Sequence, residues 1–218
     1  MGTTLVSTVL TRVRNQVNDT GTVQRWPDAT IMIPALNDGM LALATLTRDA
    51  YLVRKAFQLT AGQAYQKGIV PGDTLRIVDV VRNMGSDGFT PGRVISECTQ
   101  ASMDLQDRDW MRQGPHAPDN DIVNWMRDED DVQNFFVYPK PSTSVPVWVE
   151  IKFTEVPPPV SALTDVIPVL DKYRIELQNF VTGSVLVNDV EAGDQPRGLG
   201  LLNLFYSRFN AAPPARAP

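Results

Sequence analysis

Three consecutive prolines, Pro157-Pro158-Pro159, divide this sequence between two kinds of hydrophobic repeat. Proline lacks a backbone N–H and fixes φ, so three in a row can continue neither a helix nor an interior strand. From about residue 51 up to them, apolar residues favour the period of a strand; beyond them they recur every three or four positions. Such a chain is neither all-helical nor all-β. It holds an α part and a β part as separate layers.

Within the β part, Lys55-Ala56-Phe57-Gln58-Leu59 alternates, and Thr74-Leu75-Arg76-Ile77-Val78-Asp79-Val80-Val81-Arg82 is strongly β-branched. Pro71-Gly72-Asp73 is a turn directly before the second run, and Gly85-Ser86-Asp87-Gly88 is a loop leading to Arg93-Val94-Ile95. Residues 99–107 read as a short helix with Met103 and Leu105 available to pack. Residues 134–139 and 147–153 are further strands, with a weaker one at 122–127. The 147–153 run sets Trp148, Glu150 and Lys152 against Val149, Ile151 and Phe153, the mark of a half-buried antiparallel strand.

The flanks are helical. Leu5, Val6, Val9, Leu10 and Val13 put one apolar face on a helix that Asn18-Asp19-Thr20-Gly21 stops. A second helix opens at Trp26-Pro27-Asp28-Ala29 and runs through Ile31, Ile33, Leu36, Met40 and Leu43 to Thr47; Pro34, about two turns in, predicts a separate first turn or a kink. Residues 169–190 form a long periodic helix, and residues 197–210 a last one, with Gly198-Leu199-Gly200 read as boundary glycine. The expected fold is α+β: a four-helix bundle from residues 1–50 and 160–210, an inserted antiparallel β-sandwich-like domain at 51–159, and a flexible Pro/Ala tail at 211–218.

A 218-residue chain buries enough surface to need no disulfide, and the single cysteine, Cys98, excludes an internal one. That fits assembly in a reducing cytoplasm. No apolar stretch approaches a membrane span, and Met1-Gly2-Thr3-Thr4 carries no basic region of a signal peptide. The net charge of −5, with Lys and Arg scattered singly, argues against gripping nucleic acid but suits a wall that DNA passes.

Catalytic constellations are not evident. His116, the sole histidine, sits in the loop Gln113-Gly114-Pro115-His116-Ala117-Pro118 without partners for a triad or metal site. Cys98 has no neighbouring His or Cys to activate it and reads as a small buried residue. The acidic run Asp128-Glu129-Asp130-Asp131 lacks the alternate spacing and central glycine of a calcium loop. It reads as a solvated turn, or as a loop facing a partner or a channel. Gly198-Leu199-Gly200 follows no strand and lacks a third spaced glycine, so it is no phosphate loop. The expectation is a non-enzymatic protein with no catalytic residue, no cofactor and no metal.

The order of the pieces resembles the head-to-tail adaptor (connector) proteins of short-tailed bacteriophages. The stretches that carry the resemblance are Trp26-Pro27 through Leu36-Asn37-Asp38-Gly39; Val80-Val81-Arg82-Asn83; Gly92-Arg93-Val94-Ile95; Asp109-Trp110; Phe135-Phe136-Val137-Tyr138-Pro139; and Phe153-Thr154-Glu155-Val156-Pro157. The closing helices after Val166-Ile167-Pro168 also fit, so it spans residues 26–210. The second helix with Pro34, and Lys140 with Ser142-Thr143-Ser144, depart from the pattern.

The resemblance implies a structural virion protein of the neck, assembled in the host cytoplasm. It implies a homo-oligomeric ring, a dodecamer, docked between the portal protein and the tail tube or nozzle protein, with double-stranded DNA crossing without sequence-specific contact and no membrane partner. Expected partner-facing residues are Asp128, Glu129, Asp130 and Asp131 in the acidic loop, and Phe205, Phe209 and Arg216 on the last helix and tail. The alternative is a β-sandwich binding module for glycans or a host surface, with Trp110, Trp125 and Trp148 as a platform if exposed.

Overall fold

A computed structural model describes residues 2–112, 119–189 and 194–211. The fold is mixed α+β, and these residues form five α-helices and eight strands in two sheets, with no closed barrel. The helices are α1 Val6–Val17, α2 Ile33–Leu46, α3 Gln100–Gln106, α4 Arg174–Asn188 and α5 Gln195–Ser207. The strands are β1 Leu52–Gln58, β2 Tyr65–Gln66, β3 Thr74–Met84, β4 Pro91–Val94, β5 Ser96–Glu97, β6 Asn124–Arg127, β7 Phe135–Tyr138 and β8 Trp148–Glu155. The chain divides into one unit of Met1–Tyr51 with Val156–Pro218 and a second of Leu52–Glu155.

In the first unit, α1 buries Val6, Val9, Leu10 and Val13, and ends at Asn18, whose left-handed φ of 58° turns its N–H back to the Arg14 and Asn15 carbonyls. The helix expected from Trp26 is broken. Asp28–Met32 is a π-helical turn in which the Ile33 N–H reaches Asp28 O, and regular α-helix begins only at Ile33. Pro34 explains the break: it has no N–H for the residue 30 carbonyl and its ring crowds that oxygen, so the preceding turn widens. Together Asp28–Leu46 make a 19-residue helical run long and apolar enough to cross a membrane, contrary to the expectation that none would be. Leu36, Met40 and Leu43 are buried on it, and α2 packs on α4.

Helix α4 is buried on nearly every side, with Leu177, Gln178, Phe180 to Val181, Thr182, Gly183 and Val185 to Val187 all inside, and it contacts α1, α2 and α5. It starts later than the period predicts. Residues Asp171–Tyr173 form a 3-10 turn, because the Asp171 carboxylate accepts the Thr3 and Thr4 N–H groups, both at 2.9 Å, and the Leu170 N–H is committed to Ala50 O. Gly198 proves to be an interior helix residue rather than a boundary. A Cβ there would sit 2.9 Å from Gly183 O and from Val187, and a Cβ on Gly183 would sit 2.8 Å from Leu202. These two glycines let α4 and α5 touch backbone to backbone.

In the second unit, β8 is an interior strand of an antiparallel sheet ordered β1-β8-β3-β4, and the other sheet runs β2-β7-β6-β5. One pairing, β5 with β6, is parallel, a departure from the expected all-antiparallel insert. Strand β8 alternates as its sequence implies, but β3 does not: it buries Thr74, Ile77, Val80 and Asn83, every third residue. Three bulges against β8 each consume one extra residue of β3, which converts a period of two into three. Side chains of both sheets meet in one core, with Ile77, Val80, Val149, Ile151 and Phe153 from the first and Trp125, Phe135 and Val137 from the second. Helix α3, capped by the Thr99 hydroxyl on the Ser102 N–H, buries Met103 but leaves Leu105 87% exposed, not packed as expected.

The glycine contact at the α4–α5 crossing gives a paired test. Gly198→Ala is expected to lower stability by about 1–3 kcal/mol through overpacking. Gly200→Ala, on the same helix with nothing within 4 Å, is expected to raise it by up to about 1 kcal/mol through helix propensity. Chemical denaturation of both variants checks the pair, and equal effects would reject the close crossing.

Candidate functional site

The acidic loop before β7 is built largely from its own carboxylates. Asp128 accepts the Tyr65 hydroxyl at 2.8 Å and the Asp130 N–H at 3.0 Å, while Asp131 accepts the Asn134 amide at 2.6 Å and the Gln133 N–H at 3.0 Å. The hydrogen bond to Asp128 raises the Tyr65 phenol above its ordinary pKa, reinforced by burial. Glu129 and Asp130 point their exposed side chains to solvent. Among the described residues, no three His, Cys, Asp or Glu side chains converge as metal ligands would.

On the last helix, Phe205 is fully buried, its ring 5.0 Å from Phe180 and 5.6 Å from Phe209. It is a core anchor and not a surface for a partner. Phe209 is half-buried beside Tyr173, and the exposed apolar residues of α5 are Leu199 and Leu204. Arg216 and His116 lie outside the described residues. Cys98 is half-buried, and burial with Glu97 nearby pushes its thiol pKa up, away from nucleophilic use. Of the three tryptophans considered for a platform, Trp110 and Trp125 are buried and Trp148 is half-buried against Gly88, where a Cβ would meet its ring at 2.9 Å.

The motif residues occupy joints. Asn37 of α2 pairs its side-chain amide with both backbone groups of Val160, at 2.9 and 3.0 Å, as a strand neighbour would. Buried Asn83 does the same across unlike segments, donating to Ile122 O at 2.7 Å and Arg93 O at 3.2 Å and accepting the Ile122 N–H at 2.8 Å. Trp110 donates from its indole to Asp104 at 2.7 Å. The Tyr138–Pro139 peptide is cis. Sequence reading found these positions through the resemblance but had no signal for their bonds, since a buried asparagine looks like any loop asparagine.

Two charged clusters brace the first unit. Arg14 binds Asp19 at 2.7 Å, Asp28 at 2.6 Å and Trp26 O at 3.1 Å, and Arg25 binds Asp189 at 2.6 Å, which holds the segment around Trp26 against α1 and α4. At the other end of α2, burial would raise the Asp49 carboxyl, but hydrogen bonds from Lys172, Tyr173 and Thr47 outweigh it and hold the pKa at about 2.

Beside the first cluster, a groove of about 590 Å3 is lined by Trp26, Ile31, Pro34 and Asp38 on the α2 side and by Phe180 and Val185 on α4. Arg25, Thr30, Ser184, Asn188 and Asp189 complete a lining of mixed polarity. Asp38 is exposed at its rim and makes no hydrogen bond or ion pair among the described residues. No sequence motif announces a groove of this kind, because it forms where the widened turn at Asp28–Met32 meets α4.

Compared with known proteins, the sequence matches no family model and no curated protein.

Two outcomes follow from these contacts. Asn83→Ala leaves the Ile122 N–H and carbonyl without their partner and is expected to cost about 1–3 kcal/mol, read by thermal unfolding; an unchanged midpoint would mean the bonds are not formed. Asp49 has a folded pKa below its unfolded one, so its contribution is present above about pH 4 and is lost as pH falls toward 2. Acid unfolding of Asp49→Asn should therefore show a shallower loss across that window than the parent chain.

Proposed function

We propose that this chain is a structural component rather than an enzyme: a head-to-tail adaptor that forms a ring of twelve copies between the portal protein and the tail tube or nozzle of a short-tailed phage, with double-stranded DNA crossing its centre. The observation that carries the reading is that residues of the resembling motifs, Asn37 and Asn83 above all, tie separate segments of the fold together. Trp26 walls the groove, Asn37 ties α2 to the segment after the prolines, and Asn83 ties β3 to two other segments. Motifs used this way specify an architecture, which is what a structural protein shares with its kin. On this reading the helices of the first unit form a four-helix bundle and the two sheets a sandwich-like insert.

Assembly surfaces of the required kind are present on the second unit. Strands β1 and β4 are both edge strands, so the two ends of the sheet differ, and unlike edges suit the head-to-tail interfaces that close rings. The hairpin joining β3 to β4 exposes Phe89 at 85% and Val94 at 63%, apolar surface that a neighbouring copy would cover. A net charge of −5 keeps a channel wall from retaining phosphates.

Electron microscopy of the chain mixed with the portal encoded beside it tests the reading. A second ring of density under the portal is expected, and Phe89→Asp is expected to abolish the ring while leaving the isolated chain folded by circular dichroism. Two folded proteins that fail to associate would remove the proposal.

A further inference from the structure

The groove between α2 and α4 has a definite polarity. At one end Arg25 binds Asp189 at 2.6 Å; at the other Gly39 abuts Phe180, where a Cβ would lie 2.8 Å from the ring. The two helices therefore run in opposite directions along it, and the groove reads from Arg25 and Trp26 to Asp38. Between these charges Ile31 and Pro34 are exposed. The Asp38 carboxylate makes no hydrogen bond or ion pair among the described residues. A ligand for this surface carries an acid, an apolar group and a base, in that order.

The hairpin joining β3 to β4 carries that order as Asp87, Phe89 and Arg93. Its loop is held in shape: the Gly85 N–H closes on Thr90 O at 2.6 Å, and the Asp87 carboxylate accepts the Phe89 N–H at 2.9 Å and the Thr90 N–H at 3.1 Å. Gly88 rests against Trp148. Phe89 is thus presented to solvent, 85% exposed, on a loop with little freedom left to lose. Arg93 is exposed, and its guanidinium has no partner among the described residues.

We propose that the groove of one copy receives the β3–β4 hairpin of a second copy, an inference that takes its second copy from the ring reading. Phe89 packs on Ile31 and Pro34, Asp87 faces Arg25, and Arg93 pairs with Asp38. The lengths agree. Four residues of extended chain from Phe89 to Arg93 span about 13 Å, and the α4 wall from Phe180 to Asp189 is about 14 Å of helix. Direction is fixed as well, because the reversed hairpin would set Asp87 against Asp38 and Arg93 against Arg25. Patch and groove lie on different parts of the chain, so the contact is head-to-tail and leaves each copy one hairpin and one groove to pass on.

A contact of this size is weak between two free chains, so the test is one that registers weak association. A nitroxide is attached at Ser86→Cys in a Cys98→Ser chain without isotope enrichment, which is mixed with the full chain enriched in nitrogen-15. The amide signals of Thr30, Ala35 and Ser184 are expected to lose intensity as the labelled chain is added. Asp38→Lys in the enriched chain is expected to abolish the loss, and Arg93→Glu in the labelled chain to restore it. Groove signals that keep their intensity at millimolar concentration would overturn the proposal. So would a loss seen at high dilution with label and isotope on one chain, since that places the hairpin in its own copy's groove. Portal protein plays no part in the readout, so a groove that stays empty and a chain that fails to join the portal give different results.

Discussion

Everything in the first unit depends on one helix that is buried on nearly every side. Helix α4 touches α1, α2 and α5 at once, and its two small residues at the crossing, Gly183 on α4 and Gly198 on α5, bring backbones to within contact. Close approach at that point lets Phe205 reach Phe180, and Phe180 in turn fills the space that Gly39 leaves on α2, where a Cβ would be 2.8 Å away. A single chain of contacts thus runs from α5 through α4 to α2. The charged braces at Arg14 and Asp49 act at the two ends of α2, where apolar packing gives out. They orient the ends of a helix whose middle is held by burial.

The second unit solves a different problem. Its interior strand β8 obeys a plain alternation, and its neighbour β3 does not, so the two can share a core only if β3 spends extra residues at bulges. The outcome puts Asn83 inside, where its amide stands in for a strand neighbour to Ile122 and Arg93. Arg127 works similarly between the sheets, donating to the Ile77 and Val78 carbonyls and stacking on Trp125 at 4.8 Å. Polar side chains with fixed geometry therefore set the register of segments that hydrophobic pattern leaves free.

These features mark the boundary of what a sequence can disclose. The α-then-β-then-α order was legible because Pro157-Pro158-Pro159 and the change of period are local signals. The strand β8 was legible because its alternation is undisturbed. Bulges erased the same signal in β3, whose valines and isoleucine reveal a strand but not which of them face inward. Strands of two residues, β2 and β5, carry no period at all. Pro34 announced a break in the second helix, yet whether a turn widens or a helix kinks depends on how the preceding carbonyls are satisfied. At the level of the site, the acidic run was visible as charge, while its use in holding its own turn was not. Phe205 looked like an exposed aromatic on a terminal helix, and only the partner side chains on α4 show it to be interior. The groove at Trp26 was invisible for the same reason: it is made by residues far apart in the chain.

The place of α4 in the chain has a consequence for how the molecule is made. Helices α1 and α2 leave the ribosome well before the helix that covers them, which begins only at Arg174. At roughly 5–20 residues per second, the interval is on the order of ten seconds. Through that time the apolar faces of two nascent helices stand uncovered, while Leu52–Glu155 emerges whole and can close its own core. Vectorial synthesis therefore completes the second unit before the first, whose helices on either side of it must wait for α4.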